Sequence, residues 1–124
     1  MTDDTDIKKI YPYYVERTSH YKSIYGNNTI LLMQVGAFYE IYSDCDKDNI
    51  DIKSISEITQ LAIAGKKSNY YMAGFKIELL PKYANIITSA GYTCIVYEQI
   101  GEQTTDGREK RGLREIISPG TNVN

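Results

Sequence analysis

The sequence predicts an α/β fold in which a mixed β-sheet is flanked by helices, and three observations predict it. Apolar runs bounded by turn residues recur along the chain, most clearly at residues 29–35 and 92–99. Two segments with helical spacing and stop signals, residues 12–25 and 80–90, separate or precede those runs. Elements that alternate in this way are typical of layered α/β domains.

The first half of the chain begins with an acidic segment, residues 1–10, that we expect to be a tail. A helix is predicted over residues 12–25, because Pro is suited to a first helical turn and a Gly-Asn-Asn sequence ends the pattern. Residues 29–35 predict a buried strand, and residues 38–43 continue extended after a bend at Gly36. Residues 44–55 are open between a loop and a short helix.

The second half of the chain predicts further strands and one more helix. The helix spans residues 80–90, with Pro81 in its first turn and Gly91 as its stop. A polar turn and a long charged loop separate the other elements, at residues 65–69 and 101–112. Segments rich in β-branched and aromatic residues are predicted as strands: residues 58–64, 70–77, 92–99 and 113–118.

Composition places the chain among globular intracellular domains. Its 124 residues, 42% hydrophobic and 24% charged, suit one domain with a single core. No apolar run approaches the roughly 20 residues of a membrane helix, and no secretory signal is visible. Cys45 and Cys94 form neither a disulfide framework nor a metal quartet. We therefore expect free thiols in a reducing compartment: cytoplasm, nucleus or an organelle matrix.

The charge distribution bears on any nucleic-acid partner. Net charge is −2, and phosphate neutralisation by Lys and Arg supplies most non-specific DNA affinity. The first half carries the acidic excess, whereas basic residues cluster in the second half as Lys66, Lys67, Arg108, Lys110, Arg111 and Arg114. Such clusters are ordinarily solvated loops. If the chain works on DNA, other domains or a second subunit must supply most phosphate contacts.

Two possible motifs lack residues at required positions, and one histidine lacks an identified partner. A calcium loop starting at residue 44 has Asn49 where Gly is required and Ile55 where Glu is required. A phosphate-binding loop before residue 68 has Gln60 in place of its first Gly. His20 lies mid-helix, and nothing in the neighbouring sequence identifies a metal-binding or catalytic partner for it. We therefore predict no catalytic residue, no metal site and no cofactor in this chain.

Residues 34–42 are the most informative segment. Positions i and i+2 of a strand share a face, so Phe38 and Glu40 should point the same way. An aromatic ring beside a carboxylate suits a probe that enters a DNA groove. The ordinary alternative places Phe38 in a core and Glu40 at a strand end.

Four blocks in order carry a family resemblance. They are a G-x-F-Y-E sequence at residues 36–40, Tyr-Met-Ala-Gly-Phe at 71–75, Tyr-Glu-Gln-Ile-Gly-Glu at 97–102 and Arg-Glu-Ile-Ile-Ser-Pro-Gly-Thr at 114–121. Over about residues 11–121 the chain resembles the N-terminal mismatch-recognition domain, domain I, of the MutS mismatch-repair family. The resemblance implies the fold of that domain, with residues 122–124 beginning a linker to domains absent here.

The resemblance also implies a function and a set of site residues. Phe38 would wedge beside a mispair from the minor groove, and Glu40 would hydrogen-bond the displaced base. The partner would be double-stranded DNA with a mismatch or small loop. Remaining expected DNA contacts are Gly36, Tyr39, Lys66, Lys67, Arg108, Lys110 and Arg111. A full-length family member would be a DNA-dependent ATPase and a homodimer or heterodimer, with ATP and Mg in another domain; this domain would not be an enzyme.

Departures from the family pattern leave alternatives open. The bacterial form usually reads R-x-G-D-F-Y-E, whereas Gln34 and Ala37 bring this chain nearer to eukaryotic, organellar or viral homologues. Lys76-Ile77-Glu78 replaces the family's P-Y-H and leaves any backbone contact there in doubt. A non-catalytic scaffold with the family fold and no mismatch sensing is the main alternative, and a nuclease is a distant third. Lesion preference and the dimer partner are not predicted.

Overall fold

The computed structural model describes residues 4–44, 52–65, 70–105 and 107–122, and within them it forms three helices and six strands. The helices are α1 (Asp4–Tyr25), α2 (Ile52–Thr59) and α3 (Leu80–Ser89). The strands are β1 (Thr29–Val35), β2 (Phe38–Asp44), β3 (Ala64–Gly65), β4 (Tyr70–Lys76), β5 (Thr93–Gln103) and β6 (Glu109–Ile117). Short 3-10 turns occur at Ile77–Leu79 and Pro119–Asn122.

The six strands form one sheet in the order β3-β4-β2-β1-β5-β6. Strands β1 and β5 are parallel, and every other pair is antiparallel. Helix α3 provides the crossover between β4 and β5 that a later parallel strand requires. The mixed sheet with flanking helices confirms the predicted fold class and places β1, with its apolar residues, between β2 and β5.

Helices cover both faces of the sheet. On one face, the Tyr14 hydroxyl of α1 donates to the Leu31 carbonyl at 2.8 Å, and its ring meets Tyr42 edge-on at 5.3 Å. On the other face, Phe75 of β4 stacks on Tyr83 of α3 with centroids 4.5 Å apart. Alternation along β2 therefore sends even-numbered residues from Phe38 to Tyr42 toward α1 and odd-numbered ones toward α2 and α3.

Helix α1 begins eight residues earlier than the sequence predicted. It runs from Asp4, so most of the expected tail is helical, and Pro12 lies inside the helix rather than in its first turn. An interior proline removes one backbone hydrogen bond and costs about 3 kcal/mol. Ile10 and Tyr11 are buried, and burial of a large apolar side chain contributes roughly 1.5–3 kcal/mol, which offsets that cost.

The strand predicted over residues 58–64 is wrong. Helix α2 continues to Thr59, and the chain is irregular until the two-residue strand β3. Ile52, Ile55 and Thr59 are buried at helical spacing, whereas Ile58 is exposed. This helix shows that the later part of the ambiguous segment 44–55 is helical. Most of the earlier part lies outside the described residues, and so do Cys45, most of the rejected calcium loop and most of the turn at 65–69.

The charged loop predicted over residues 101–112 is shorter than expected. Strand β5 continues to Gln103 and β6 starts at Glu109, so both strands extend beyond the sheet as a two-stranded ribbon with an irregular register. Most of the expected loop is therefore strand, and Arg111 pairs with Gln99. The other predicted strands and the helix at 80–90 are confirmed, with end shifts of at most a few residues.

Candidate nucleic-acid interface

The hairpin between β1 and β2 places Phe38 beside a tight turn. Val35 pairs with Phe38 across the two residues Gly36 and Ala37. Gly36 has φ +59°, the left-handed value that the first position of a type II′ turn requires and that glycine adopts without a Cβ clash. Phe38 is the first residue beyond the turn and is half-buried. Its ring therefore keeps an exposed edge at the tip of the hairpin.

Phe38 and Glu40 share a face as predicted, but only Phe38 reaches the surface. Glu40 is 1% exposed, on the face that α1 covers. The Tyr42 hydroxyl donates a hydrogen bond to its Oε1 atom. The expected picture of a wedge and a carboxylate exposed side by side is therefore corrected: in the chain alone, the carboxylate is held inside the domain.

Gly74 makes room for Glu40. These two residues pair across β2 and β4. A Cβ atom added at Gly74 would lie 2.7 Å from the Tyr39 carbonyl oxygen and 3.1 Å from Glu40 Cγ. The 2.7 Å contact with the Tyr39 carbonyl oxygen is closer than real Cβ atoms come to backbone atoms. Position 74 in the second block therefore requires glycine, because the strand that carries Phe38, Tyr39 and Glu40 packs directly against it.

Two glutamines fasten the hairpin turn to β5. The Gly36 backbone N–H donates to Gln99 Oε1 at 2.8 Å, and the Gln99 backbone N–H donates to Gln34 Oε1 at 2.9 Å. The Gln34 Nε2 amide in turn donates to the Gly36 carbonyl at 3.0 Å. These three bonds, the glutamine clamp, fix both peptide groups of Gly36. Gln99 comes from the third block, which is thereby joined to the first.

Tyr39 is joined to the fourth block. Its side chain is 2% exposed, lies on the face opposite Phe38 and packs 5.9 Å from the Phe75 ring. The Arg114 Nη1 atom donates to the Tyr39 hydroxyl at 3.0 Å across the sheet. Tyr39 was expected among the DNA contacts, but its position instead links the hairpin to β6. The first block, residues 36–40, thus contacts residues from each of the other three blocks.

The basic residues expected at DNA separate into different environments. Arg111 is 6% exposed, and its guanidinium donates to the Gln34 carbonyl at 2.6 Å and the Glu109 carbonyl at 2.8 Å. Burial lowers the pKa of Arg111 below its usual value. Arg108 lies 4.4 Å from the centre of the Tyr13 ring. Arg111 therefore supports the hairpin backbone rather than projecting into solvent as a loop residue.

The remaining basic residues do not join this group. Lys110 forms an exposed ion pair with Glu102 at 3.4 Å, a contact that contributes little to stability at a solvated position. Lys66 and Lys67 lie outside the described residues. Within the described ranges no group of three or more His, Cys, Asp or Glu side chains could hold a metal ion, and no helix has the length and apolar character of a membrane span.

Sequence reasoning missed several residues that build the site. Gly74 and Gln99 were visible only as members of motif blocks, Gln34 only as a departure from the family pattern, and Arg114 only as a block member and a basic residue. Their roles depend on strand order and register, which bring β5 beside β1 and β4 beside β2. The presence of glutamine and glycine in the motif blocks was the available signal, but it does not indicate which residues these side chains contact.

Comparison with known proteins identifies the family. The family described as MutS domain I matches residues 15–124. A mutS-homologue DNA mismatch repair protein of Acanthamoeba polyphaga mimivirus is 28% identical over 97% of this chain and 11% of its own length. DNA mismatch repair protein MutS of Petrotoga mobilis is 30% identical over 94% of the chain and 13% of its own length.

A third relative extends the comparison. DNA mismatch repair protein MutS of Bacteroides fragilis is 33% identical over 78% of the chain and 11% of its own length. The chain therefore spans about a tenth of the length of these relatives. Since the family match covers nearly all of the sheet and its flanking helices, the chain belongs to the MutS domain I family.

Proposed function

We propose that this chain binds duplex DNA at mispairs or small loops, with Phe38 as the wedge. The observation that carries the proposal is the position of Phe38: it is half-buried at the tip of a fastened hairpin, while Tyr39 and Glu40 beside it are buried. An apolar side chain that enters a base step from the minor groove costs a few kcal/mol of unstacking. The cost is lowest where pairing is defective, so the wedge senses deformability.

Rigidity of the hairpin supports this use of Phe38. A wedge that could retreat into the protein would not unstack a base step. The glutamine clamp holds Gly36, and the Arg114–Tyr39 bond holds the strand one residue beyond Phe38. Neighbouring contacts that lock a functional side chain are the usual means of preorganisation.

Glu40 acts after the wedge in this proposal. The Oε1 atom of Glu40 accepts a hydrogen bond from the Tyr42 hydroxyl, and α1 covers the side chain. A displaced base can therefore hydrogen-bond to Glu40 only if that contact and the packing of α1 over Glu40 change. An ionised carboxylate accepts from a base N–H, whereas a bond to a purine N7 requires the protonated form. Glu40→Ala should therefore lower mismatch preference more than total DNA binding; a parallel fall of both would contradict the role.

The whole protein's activities are also proposals. Other domains of a full-length member would carry the ATPase with its ATP and Mg and the homodimer or heterodimer contacts, in an intracellular compartment. The chain itself would be a recognition domain and not an enzyme. The net charge of −2 agrees with weak DNA binding by this domain alone, because most phosphate neutralisation would come from elsewhere.

Burial of Glu40 favours a second candidate, a scaffold with the family fold and no mismatch sensing. The two candidates predict different titrations of the chain, at low salt, with matched, single-mismatch and one-base-bulge duplexes. Under the wedge proposal, wild type prefers the defective duplexes, Phe38→Ala loses the preference, and Ile24→Ala keeps it. Ile24 is the matched control because it is an exposed apolar residue in the last turn of α1. Equal binding of wild type to all three duplexes would refute the wedge and support the scaffold.

A further inference from the structure

A cleft lies between α1 and the β5–β6 ribbon, directly beside the hairpin turn. Its volume is about 230 Å³. The residues that matter for its chemistry are Lys9, Arg108, Glu109, Arg111, Val35 and Gln99. Three of these six side chains are cationic and one is a carboxylate, although the chain as a whole is acidic. The cleft therefore adds Lys9, which is distant along the chain, to the basic residues Arg108 and Arg111 that already cluster in the sequence.

The buried positive charge of Arg111 favours the binding of an anion in this cleft. Arg111 is 6% exposed as a residue, and its guanidinium donates hydrogen bonds to two neutral backbone carbonyls. The ion pairs formed in the described part of the chain all involve other side chains. Burial and the nearby positive charge of Arg108 both lower the pKa of Arg111. The Glu109 carboxylate acts in the opposite direction and raises that pKa, but it forms no ion pair with Arg111 in the described part of the chain. A buried cation outside an ion pair is costly, and an anion bound in the cleft would relieve that cost.

The cleft adjoins the proposed wedge. Val35, which lines it, pairs with Phe38 across the turn, and the two share the α1 face of the sheet. Gln99, which also lines it, holds the Gly36 N–H. A strand of duplex DNA presents a phosphate about every 3.4 Å along its axis. A duplex entered by Phe38 would therefore bring backbone phosphates to this cleft.

We propose that the cleft is an anion site that takes a phosphate group of the DNA backbone flanking the lesion, with Lys9, Arg108 and Arg111 as its cationic wall. This inference rests on the proposed DNA-binding function and adds a binding site to it. Arginine and lysine are the usual phosphate ligands, and their contacts fix the register of the duplex without reading its sequence. Glu109, the one carboxylate of the lining, repels a phosphate, so the attraction of the three cations must outweigh it.

The first arm of the test measures the salt dependence of DNA binding. Wild type and the double variant Lys9→Gln/Arg108→Gln are titrated with matched and one-base-bulge duplexes at several salt concentrations. Loss of one phosphate contact should reduce the slope of log K against log salt by about 0.9. Affinity should fall equally for both duplexes, because the contact reads no sequence. Lys53→Gln, an exposed lysine on α2, is the matched control and should keep the wild-type slope.

The second arm uses inorganic phosphate as the probe. Phosphate should raise the melting temperature of wild type and Lys53→Gln above the value in chloride at equal ionic strength, and should not do so for the double variant. An unchanged slope in the double variant would overturn the DNA contact. If phosphate still stabilised wild type in that case, the cleft would be a site for a free phosphate compound.

The two arms also separate this inference from the proposed function. If the wedge proposal is wrong, wild type will bind matched and defective duplexes with equal affinity, and this result does not depend on the slope of log K against log salt. Failure of the anion site appears as a slope and a phosphate response that the double variant shares with wild type. Loss of both effects in the double variant, together with a preference that depends on Phe38, would establish the two sites independently.

Discussion

Gly74 offers the sharpest test of how the motif blocks support one another. Gly74→Ala adds a Cβ atom 2.7 Å from the Tyr39 carbonyl oxygen and 3.1 Å from Glu40 Cγ. The carbonyl belongs to the β2–β4 pair in the middle of the sheet and cannot move without disturbing that pairing. Overpacking of this kind costs about 1–3 kcal/mol. Because alanine also restricts the unfolded chain by roughly 0.4–1 kcal/mol, we expect a net loss of about 1–2 kcal/mol.

Gly112→Ala is the matched control. Gly112 also lies within a strand, and its added Cβ would have one neighbour, Ile100 Cγ2, at an ordinary 3.6 Å. The same restriction of the unfolded chain should leave this variant neutral or more stable than wild type by up to about 1 kcal/mol. The free energy of unfolding is measured by urea denaturation, with the midpoint compared at constant m.

The double variant Glu40→Ala/Gly74→Ala adds a second check. It removes the Glu40 Cγ contact and leaves the Tyr39 carbonyl contact. Gly74→Ala should therefore cost less stability when it is added to Glu40→Ala than when it is added to wild type, but the cost should not disappear. If Gly74→Ala were as stable as Gly112→Ala, the close approach of β2 and β4 would be refuted. Mismatch preference should fall with Gly74→Ala in folded protein, because the strand that carries Phe38 must shift.

Two further predictions concern the clamp and alkaline pH. Gln99→Ala should lower the free energy of unfolding by about 0.5–1.5 kcal/mol and weaken mismatch preference, because it removes the acceptor of the Gly36 N–H. Gln99→Glu keeps an acceptor and should keep the wild-type free energy of unfolding, although its added charge should weaken DNA binding at the cleft. Equal losses of stability in the two variants would contradict the clamp. Burial raises the pKa of the Cys94 thiol from 9.0 to about 12, and burial with the Tyr97 hydroxyl beside it raises the pKa of Tyr21 from 10.0 to about 12. As pH rises, the unfolded chain therefore loses these protons before the folded chain does. The contribution of these groups to the free energy of unfolding should be fully present below about pH 9 and fall as pH rises toward 12, and the urea midpoint should decline between pH 8 and 11. A constant midpoint would show that these groups are not buried.

The hairpin was predictable because its signals are local. A buried apolar run, a glycine between two extended segments and a second extended segment gave β1, the turn and β2 nearly to the residue. The four ordered blocks also identified the family, which the match over residues 15–124 confirms. Helix α2 was left open between a loop and a short helix, although Ile52, Ile55 and Thr59 have helical spacing. The apolar residues from Ile58 onward favoured a strand instead.

Burial of charged side chains was not predictable in this way. Glu40 and Arg111 carry no sequence signal that distinguishes them from solvated residues. Each is buried by segments distant along the chain: α1 covers the face that holds Glu40, and Arg111 reaches the carbonyl of Gln34 from β6. The sequence-based expectation that both would be exposed at DNA was a statement about residue type, which does not report what packs above it.

By itself, the sequence determined the family, through four ordered motif blocks. It also determined most of the strands and helices and the position of Phe38 next to a turn, because propensity, periodicity and turn chemistry act over a few neighbouring residues. Only the tertiary structure decided that Gln99 holds the turn, that Gly74 makes room for Glu40, and that Lys9 meets Arg108 and Arg111 in one cleft. Those contacts join residues tens of positions apart. They exist because hydrogen-bond register and helix packing bring the segments together, and neither is set by any one segment alone.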